Sequence, residues 1–488
     1  MKKFLTIITT TITVWAILTY IISNQTQKEF QNYIDKSKNL YASNGLKLTL
    51  SNYQQSFLLS KATVEIDFIE PEIAQELKKE YILPIKIKYD IEHGPIFFKD
   101  KFGVGLSKMS NRMFISSLLQ PKAKEEFLEF VKDDINLKTD MVVSFSKKLE
   151  YRVESDEVNI NRDKRDFYMT PLTFMGKTHI ETLEGDGKLL VSNIKLKEES
   201  SDNGVEVKNL AIDIKLDEFI EDNIVFGDFK FSIEDLLIKD SQNSNIETIN
   251  IAINGAIENQ RESQTTMNSN FKGYIDFKDT KLPSEFKELQ NINLAMNISN
   301  IGIKGISEFQ QIVKMAKEEQ ETLLEQLPIT TSENIEPIFI KFHEIEDEMI
   351  SNLIESLNSL LIKNKTAIKY TLNIDTKDKE STKALVEVGY TGDIEFKGRV
   401  EDIITKIQSK LLSIIRLNMD IELNKKHLAL IPVPMLEQQI QMGVTQGFIK
   451  DNNSSYSLNG YYRDKELMIN DNNLTSTILP LIMIIATL

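Results

Sequence analysis

A chain of 488 residues, 41% hydrophobic and 27% charged, holds enough apolar material for two to four domains or one long one. Its formal charge of −15 argues against an electrostatic nucleic-acid partner, which needs clustered Lys and Arg. Cysteine is absent, which excludes disulfides, thiolate nucleophiles and thiolate zinc sites; a core of this size needs no disulfides, so the compartment stays open.

After Lys2 and Lys3, "FLTIITTTITVWAILTYII" (residues 4–22) runs nineteen positions without a charge. At 1.5 Å per residue that length matches a hydrocarbon core of about 30 Å. Its six threonines lower the hydrophobicity, but their hydroxyls can bond back to helix carbonyls. Trp15 and Tyr20 suit an interfacial position, and the paired lysines place the N-terminus in the cytoplasm with the bulk of the chain outside. Residues 1–22 therefore read as a retained transmembrane anchor, with the bilayer as partner. The rivals are a buried helix and a cleaved signal, for which "TYIISNQ" offers Ile and Tyr where small residues are wanted. At the other end, "ILPLIMIIATL" (478–488) is apolar but too short to cross a bilayer, and is expected to dock on protein or on a membrane surface.

Residues 23–43 are polar with Phe30, Tyr33, Ile34 and Leu40 at roughly helical spacing, which predicts a helical stalk continuing the anchor. The period then changes to two. Leu46, Leu48 and Leu50 alternate with polar residues, as do Ala62, Val64, Ile66 and Phe68, the mark of half-buried strands. In "IKIKYDIEHGPIFF" (85–98), Ile85, Ile87, Tyr89 and Ile91 share one face and His93 comes next on it. Gly94 and Pro95 break the ladder, so His93 is expected to end a strand. Similar alternation recurs to residue 424 or so, with turns expected at "EGDG" (184–187), "NG" (254–255) and "TGD" (391–393).

Helices interrupt the strands. Ser307 with Gln310 three residues on predicts a helix start, and the run ends before Pro328. A second long amphipathic helix covers about 333–364 with Pro337 in its first turn, and shorter ones are expected at 122–133, 399–414 and 433–448. The domain reading is an anchor at 1–22, a stalk at 23–43, a β-rich periplasmic region at 44–306, a helical pair at 307–364, a C-terminal α+β region at 365–473 and an apolar tail at 474–488. The fold class is α+β: an N-terminal transmembrane helix, then extended, curved antiparallel sheets packed with long amphipathic helices.

The stretch containing Tyr53, Phe57 and Ser60, the His93-Gly94-Pro95 triplet, and a closing hairpin at Asn470 resemble the signatures of the YdgA/YihF-like bacterial envelope proteins. Ser56 stands where that family usually has Gly, and Asp471 replaces the Gly that usually follows the closing Asn. The resemblance implies an inner-membrane-anchored protein with a large periplasmic part, and it brings no catalytic residues with it.

The residues themselves nominate no catalytic, cofactor or metal site. His93, His179, His343 and His427 are scattered, without the spacing that would bring imidazoles onto one metal. No Gly-x-Ser-x-Gly elbow or phosphate-binding Gly-rich loop occurs, and the acidic hairpin 156–166 lacks the Gly and Glu of a calcium loop. The expected role is non-enzymatic, structural or interactive, in the cell envelope, with self-association into a homodimer. The alternative is phospholipid binding or intermembrane transfer in an apolar groove between curved sheet and helices; an envelope hydrolase ranks third. Alternation alone does not separate a filled core from such a groove.

Overall fold

The protein is described from a computed structural model covering residues 2–476, apart from 43–44, 99–101, 132, 163, 199–202, 221–223, 240–247, 279, 281, 283–287, 326–335, 393, 399 and 431–435. The architecture is α+β, mostly antiparallel sheet with some helices. Its contacts divide it into two compact units, residues 1–219 with 227–252, and residues 220–226 with 253–488.

The first unit begins with a continuous helix α1 (Lys2–Ala42). Then come β1 (Leu46–Gln54), β2 (Leu59–Phe68), α2 (Pro71–Leu77), β3 (Ile85–His93), β4 (Ile96–Phe97), β5 (Gly103–Val104), β6 (Ser107–Phe114) and α3 (Pro121–Phe130). After these run β7 (Asn136–Val143), β8 (Lys148–Ser155), β9 (Val158–Arg162), β10 (Arg165–Met169), β11 (Leu172–His179), β12 (Gly185–Glu198) and β13 (Gly204–Ile220). Pairing is antiparallel in the order β1-β2-β3-β6-β7-β8-β11-β12-β13, with β9-β10 continuing the β8-β11 ribbon along the far half of β12.

Two-residue alternation puts the apolar positions on one face. Register carries Ile91, Met109, Met141 and Tyr151 across adjacent strands, and Ser107, Val143, Leu149 and Thr178 beside them. The buried core of Ala62, Ile91, Met109, Val143, Leu149 and Ile180 lies on this face. Of residues 23–43, expected to project as a stalk, the part up to Ile34 instead packs on it: Ile34 is buried with Leu48 and Val64, and Phe30 and Tyr33 lie against the same core. Among the described residues no helix is long and apolar enough to cross a membrane; the side chains of residues 1–13, which begin the expected span, lie outside the described set, as does the tail 478–488.

The chain passes between units within β14 (Ile224–Lys239) and β15 (Thr248–Arg261): the second unit takes the first three residues of β14 and the part of β15 from Ile253 on. It goes on through β16 (Thr266–Asp276), β17 (Leu289–Gly302), α4 (Ile303–Glu325), α5 (Glu336–Leu360), β18 (Ala367–Thr376), β19 (Ser381–Tyr390), α6 (Val400–Ile414) and β20 (Ile415–Asn424). It closes with α7 (Leu436–Thr445), β21 (Lys450–Asp451), β22 (Ser455–Arg463), β23 (Glu466–Ile469) and β24 (Asn472–Asn473). Strands β16-β17-β18-β19-β20-β22-β23 pair antiparallel in that order. Helices α4 and α5 pack on each other, while the end of α5 joins α6 in a core of Ile394, Phe396, Ile403 and Ile414.

Three local expectations are corrected. Helix α4 starts at Ile303, before the capping pattern at Ser307, because Gly305 lets its first turn cross the end of α5; a Cβ there would stand 2.4 Å from the Leu360 nitrogen. Asn254 and Gly255 lie inside β15 and make no turn. Gly185 and Gly187 are strand residues of β12, the turn falling just before them.

Candidate functional site

The signature residues of the first unit converge at the ends of β1, β2 and β3. Pairing of Ser60 with Ile91 brings His93 beside the start of β2, and His93 ends its strand as expected. The Ser60 hydroxyl lies 2.7 Å from His93 Nε2 and also accepts from the Ser56 amide at 3.0 Å. Both residues are 1% exposed, and His93 Nδ1 is buried without a partner. Burial holds the imidazole at about 4, below its ordinary 6.5, and pushes the nearby Tyr53 phenol up, with Ser60 acting the other way on Tyr53.

Gly94 follows because nothing larger fits. A Cβ there would meet the Gly105 carbonyl oxygen at 1.7 Å, and Pro95, joined by a cis peptide, turns the chain into β4. Phe57 is the exception among these residues, 41% exposed at the β1–β2 tip. A Ser–His contact is the arrangement of a nucleophile and its base. Here burial lowers the basicity of the imidazole, Nδ1 has no partner among the described residues, and both side chains are closed to solvent; the contact ties the end of β3 to the start of β2.

Asn470 lies in the second unit. Its Nδ2 donates to the Phe448 carbonyl at 2.9 Å and its Oδ1 accepts from the Asn459 amide at 3.0 Å. Asn470 and Asp471 have φ of 46° and 70°, the two left-handed positions of a tight β-hairpin turn. A second buried imidazole also lies here: His427 Nδ1 is 2.8 Å from the Thr382 hydroxyl, and its pKa is lowered by burial against the opposing pull of Glu380, Asp378 and Asp375. His343 pairs with Glu346 on an exposed helix face, and His179 Nδ1 accepts from the Glu181 amide in a turn. Among the described residues no group of three or more His, Asp or Glu side chains is placed to hold a metal ion.

A predominantly apolar cavity of about 620 Å³ lies between α1 and the inner face of the first unit's sheet. Ile22, Gln25, Thr26, Glu29, Phe30, Tyr33 and Ile34 line it from the helix, a clean i, i+3, i+4 stripe. Across from them stand Leu48, Val64, Ile87, Met109, Met141, Leu149, Val153, Phe174 and Leu216. The far wall stays low because Gly176 and Gly187 sit side by side in register under the Tyr151 ring, which stacks at 5.3 Å on Phe174.

Most polar groups of the lining are already engaged. Thr26 bonds back to the Ile22 carbonyl at 2.8 Å, and Asn111 donates to the Lys88 carbonyl at 2.6 Å. Glu29 lies 3.7 Å from Lys147, which also pairs with Glu181. What remains is apolar wall suited to hydrocarbon. The groove differs in place from the one expected: its helix is α1, while α4 and α5 pack on each other. Phe30, Tyr33 and Ile34 are its signal in the sequence, and the structure extends the stripe back to Ile22.

No curated protein and no solved structure matches the chain. The profile of one family, described as bacterial proteins of unknown function and designated DUF945, matches residues 1–476, and the chain belongs to that family.

Proposed function

We propose that this is a non-enzymatic, lipid-binding protein of the bacterial cell envelope. The apolar start of α1 anchors it in the inner membrane with the bulk on the periplasmic side, and the groove of the first unit receives an acyl chain. The observation that carries the reading is the cavity itself. Its volume, about 620 Å³, falls within the roughly 300–1,000 Å³ of small-molecule sites, and its walls are hydrocarbon and aromatic. The helix that lines it is continuous with the uncharged segment 4–22, so one element leads from the proposed membrane to the groove.

The test is native mass spectrometry of the full chain purified in mild detergent, with Thr139→Phe as the groove-filling variant. Thr139 lies on the inner face opposite Asn111 and Val153. Phospholipid retained at fixed stoichiometry by the wild type and lost by a folded variant supports the reading. Absence of lipid from the wild type overturns it. A structural or interaction role with self-association is favoured instead by Phe309, Val313, Met315, Phe339 and Ile340, all exposed on α4 and α5, and a stable dimer free of lipid would support that.

A further inference from the structure

Two loops of the first unit close on the outer part of α1, and both carry exposed apolar residues toward it. The β1–β2 tip is tied to the helix by Ser23, whose hydroxyl donates to the Ser56 carbonyl at 3.0 Å, and by Gln55, whose amide donates to Asn24 at 2.5 Å. Beside β4 and β5, Phe98 packs edge-on against Trp15 of the helix at 6.2 Å and Phe102 against Phe98 at 6.3 Å. The polar groups between them are turned inward: Thr19 and Ser23 are buried, and Thr19 bonds the Trp15 carbonyl.

What remains outside is apolar. Phe57 and Leu59 on one tip, Phe98 and Phe102 on the other, and Ile17 and Ile21 on the helix are 41–75% exposed. Single exposed apolar residues are ordinary, but six around one helix are not. Phe57 joins neither of the buried clusters beneath α1, so burial does not account for it.

We propose that these two tips form an interfacial collar whose partner is the surface of a phospholipid bilayer. Aromatic and branched side chains at the headgroup boundary bury apolar area while the backbone of the hairpins stays in the wet layer. The occupant follows from continuity: Ile17 and Ile21 belong to the last turns of the uncharged segment proposed above to enter lipid, and the collar flanks those turns, where the segment joins the folded unit. The collar would set the mouth of the groove at the bilayer surface, one helical face away from Ile22. It rests on the reading that α1 enters the membrane, and not on what fills the groove.

Trp15 is the sole tryptophan, which makes the test direct. The full chain carrying Trp15→Phe and Phe102→Trp is reconstituted into phosphatidylcholine–phosphatidylglycerol vesicles whose lipids carry bromine either near the headgroups or near the chain ends. The collar predicts that the new tryptophan is quenched, and more by the shallow bromines than by the deep ones. Phe57→Trp in the same background gives an independent second reading should the first variant misfold. Quenching of native Trp15 without quenching at either tip would leave the anchor standing and overturn the collar. No quenching of any of the three would remove both. Shielding of the tip tryptophans that rises with protein concentration, without bromine quenching, would assign the patch to a second copy of the chain and overturn the collar as well.

Discussion

The Ser60 hydroxyl and His93 Nε2, 33 residues apart in sequence, meet at 2.7 Å with both side chains removed from solvent. The contact fixes the end of β3 against the start of β2 and leaves Nδ1 with no buried acceptor, so protonation of this ring is penalised in the folded state.

The sign of the pH effect follows. An unfolded histidine takes up its proton near 6.5, the folded one only at about 4. Stability is whole above pH 6.5 and is lost as the pH falls towards 4, by at most about 3 kcal/mol from this residue. The variant His93→Gln can still bond Ser60 and gains no proton. Thermal unfolding between pH 7 and 4 should show a smaller acid loss in the variant than in the wild type; parallel curves would contradict the assignment.

Gly176 and Gly187 form the floor on which Tyr151 lies. A Cβ on Gly176 would stand 2.1 Å from the Asp186 backbone oxygen, whereas one on Gly187 meets first the Tyr151 hydroxyl at 3.0 Å. Gly176→Ala should therefore cost about 1–3 kcal/mol by overpacking two strands, and Gly187→Ala clearly less, since a side chain can give way. Denaturant unfolding ranks the two, and equal costs would speak against the geometry of that wall.

Asp471 occupies a left-handed position, φ 70°, a conformation that Gly adopts without strain. Its ion pair with Lys450 at 3.3 Å joins a half-exposed lysine to an almost fully exposed carboxylate and contributes little. Asp471→Gly should raise stability by about 0.5–1 kcal/mol and Asp471→Val lower it by about 1–2 kcal/mol. A calorimetric melting shift of the opposite sign in the glycine variant would show that the side chain matters more than the turn.

Much of this fold could be read from residue patterns, because alternation in a half-wet strand is a local signal. Ile85, Ile87, Tyr89 and Ile91 announced β3 and its inward face, and the two long amphipathic helices appeared where their stripes lay. Turn chemistry misled where the strand had another use for its glycines. Gly185 and Gly187 admit close neighbours within β12, and Asn254-Gly255 lies within a paired strand, so neither ends anything. The seven-residue α2 is too short for its periodicity to register.

The candidate site was less visible for a physical reason. Ser60 and His93 meet only through the β2–β3 register, which no local spacing encodes. The groove depends on whether side chains across eight strands fill the space beneath α1, and Tyr151 above two glycines, unlike a branched residue there, leaves it open. Residues 23–34 looked like a polar stalk because the helix face opposite the stripe is wet.

The account is tested most directly by photocrosslinking from two neighbouring positions of β8. Tyr151 faces the groove, while Arg152 lies on the other face of the same strand, paired with Glu154 in solvent. With p-benzoylphenylalanine at Tyr151, irradiation of intact cells labelled with radioactive phosphate should yield a protein–phospholipid adduct, and the same probe at Arg152 should yield none. Adducts at both positions, or at neither, would contradict an acyl chain lying between α1 and the inner face of the sheet.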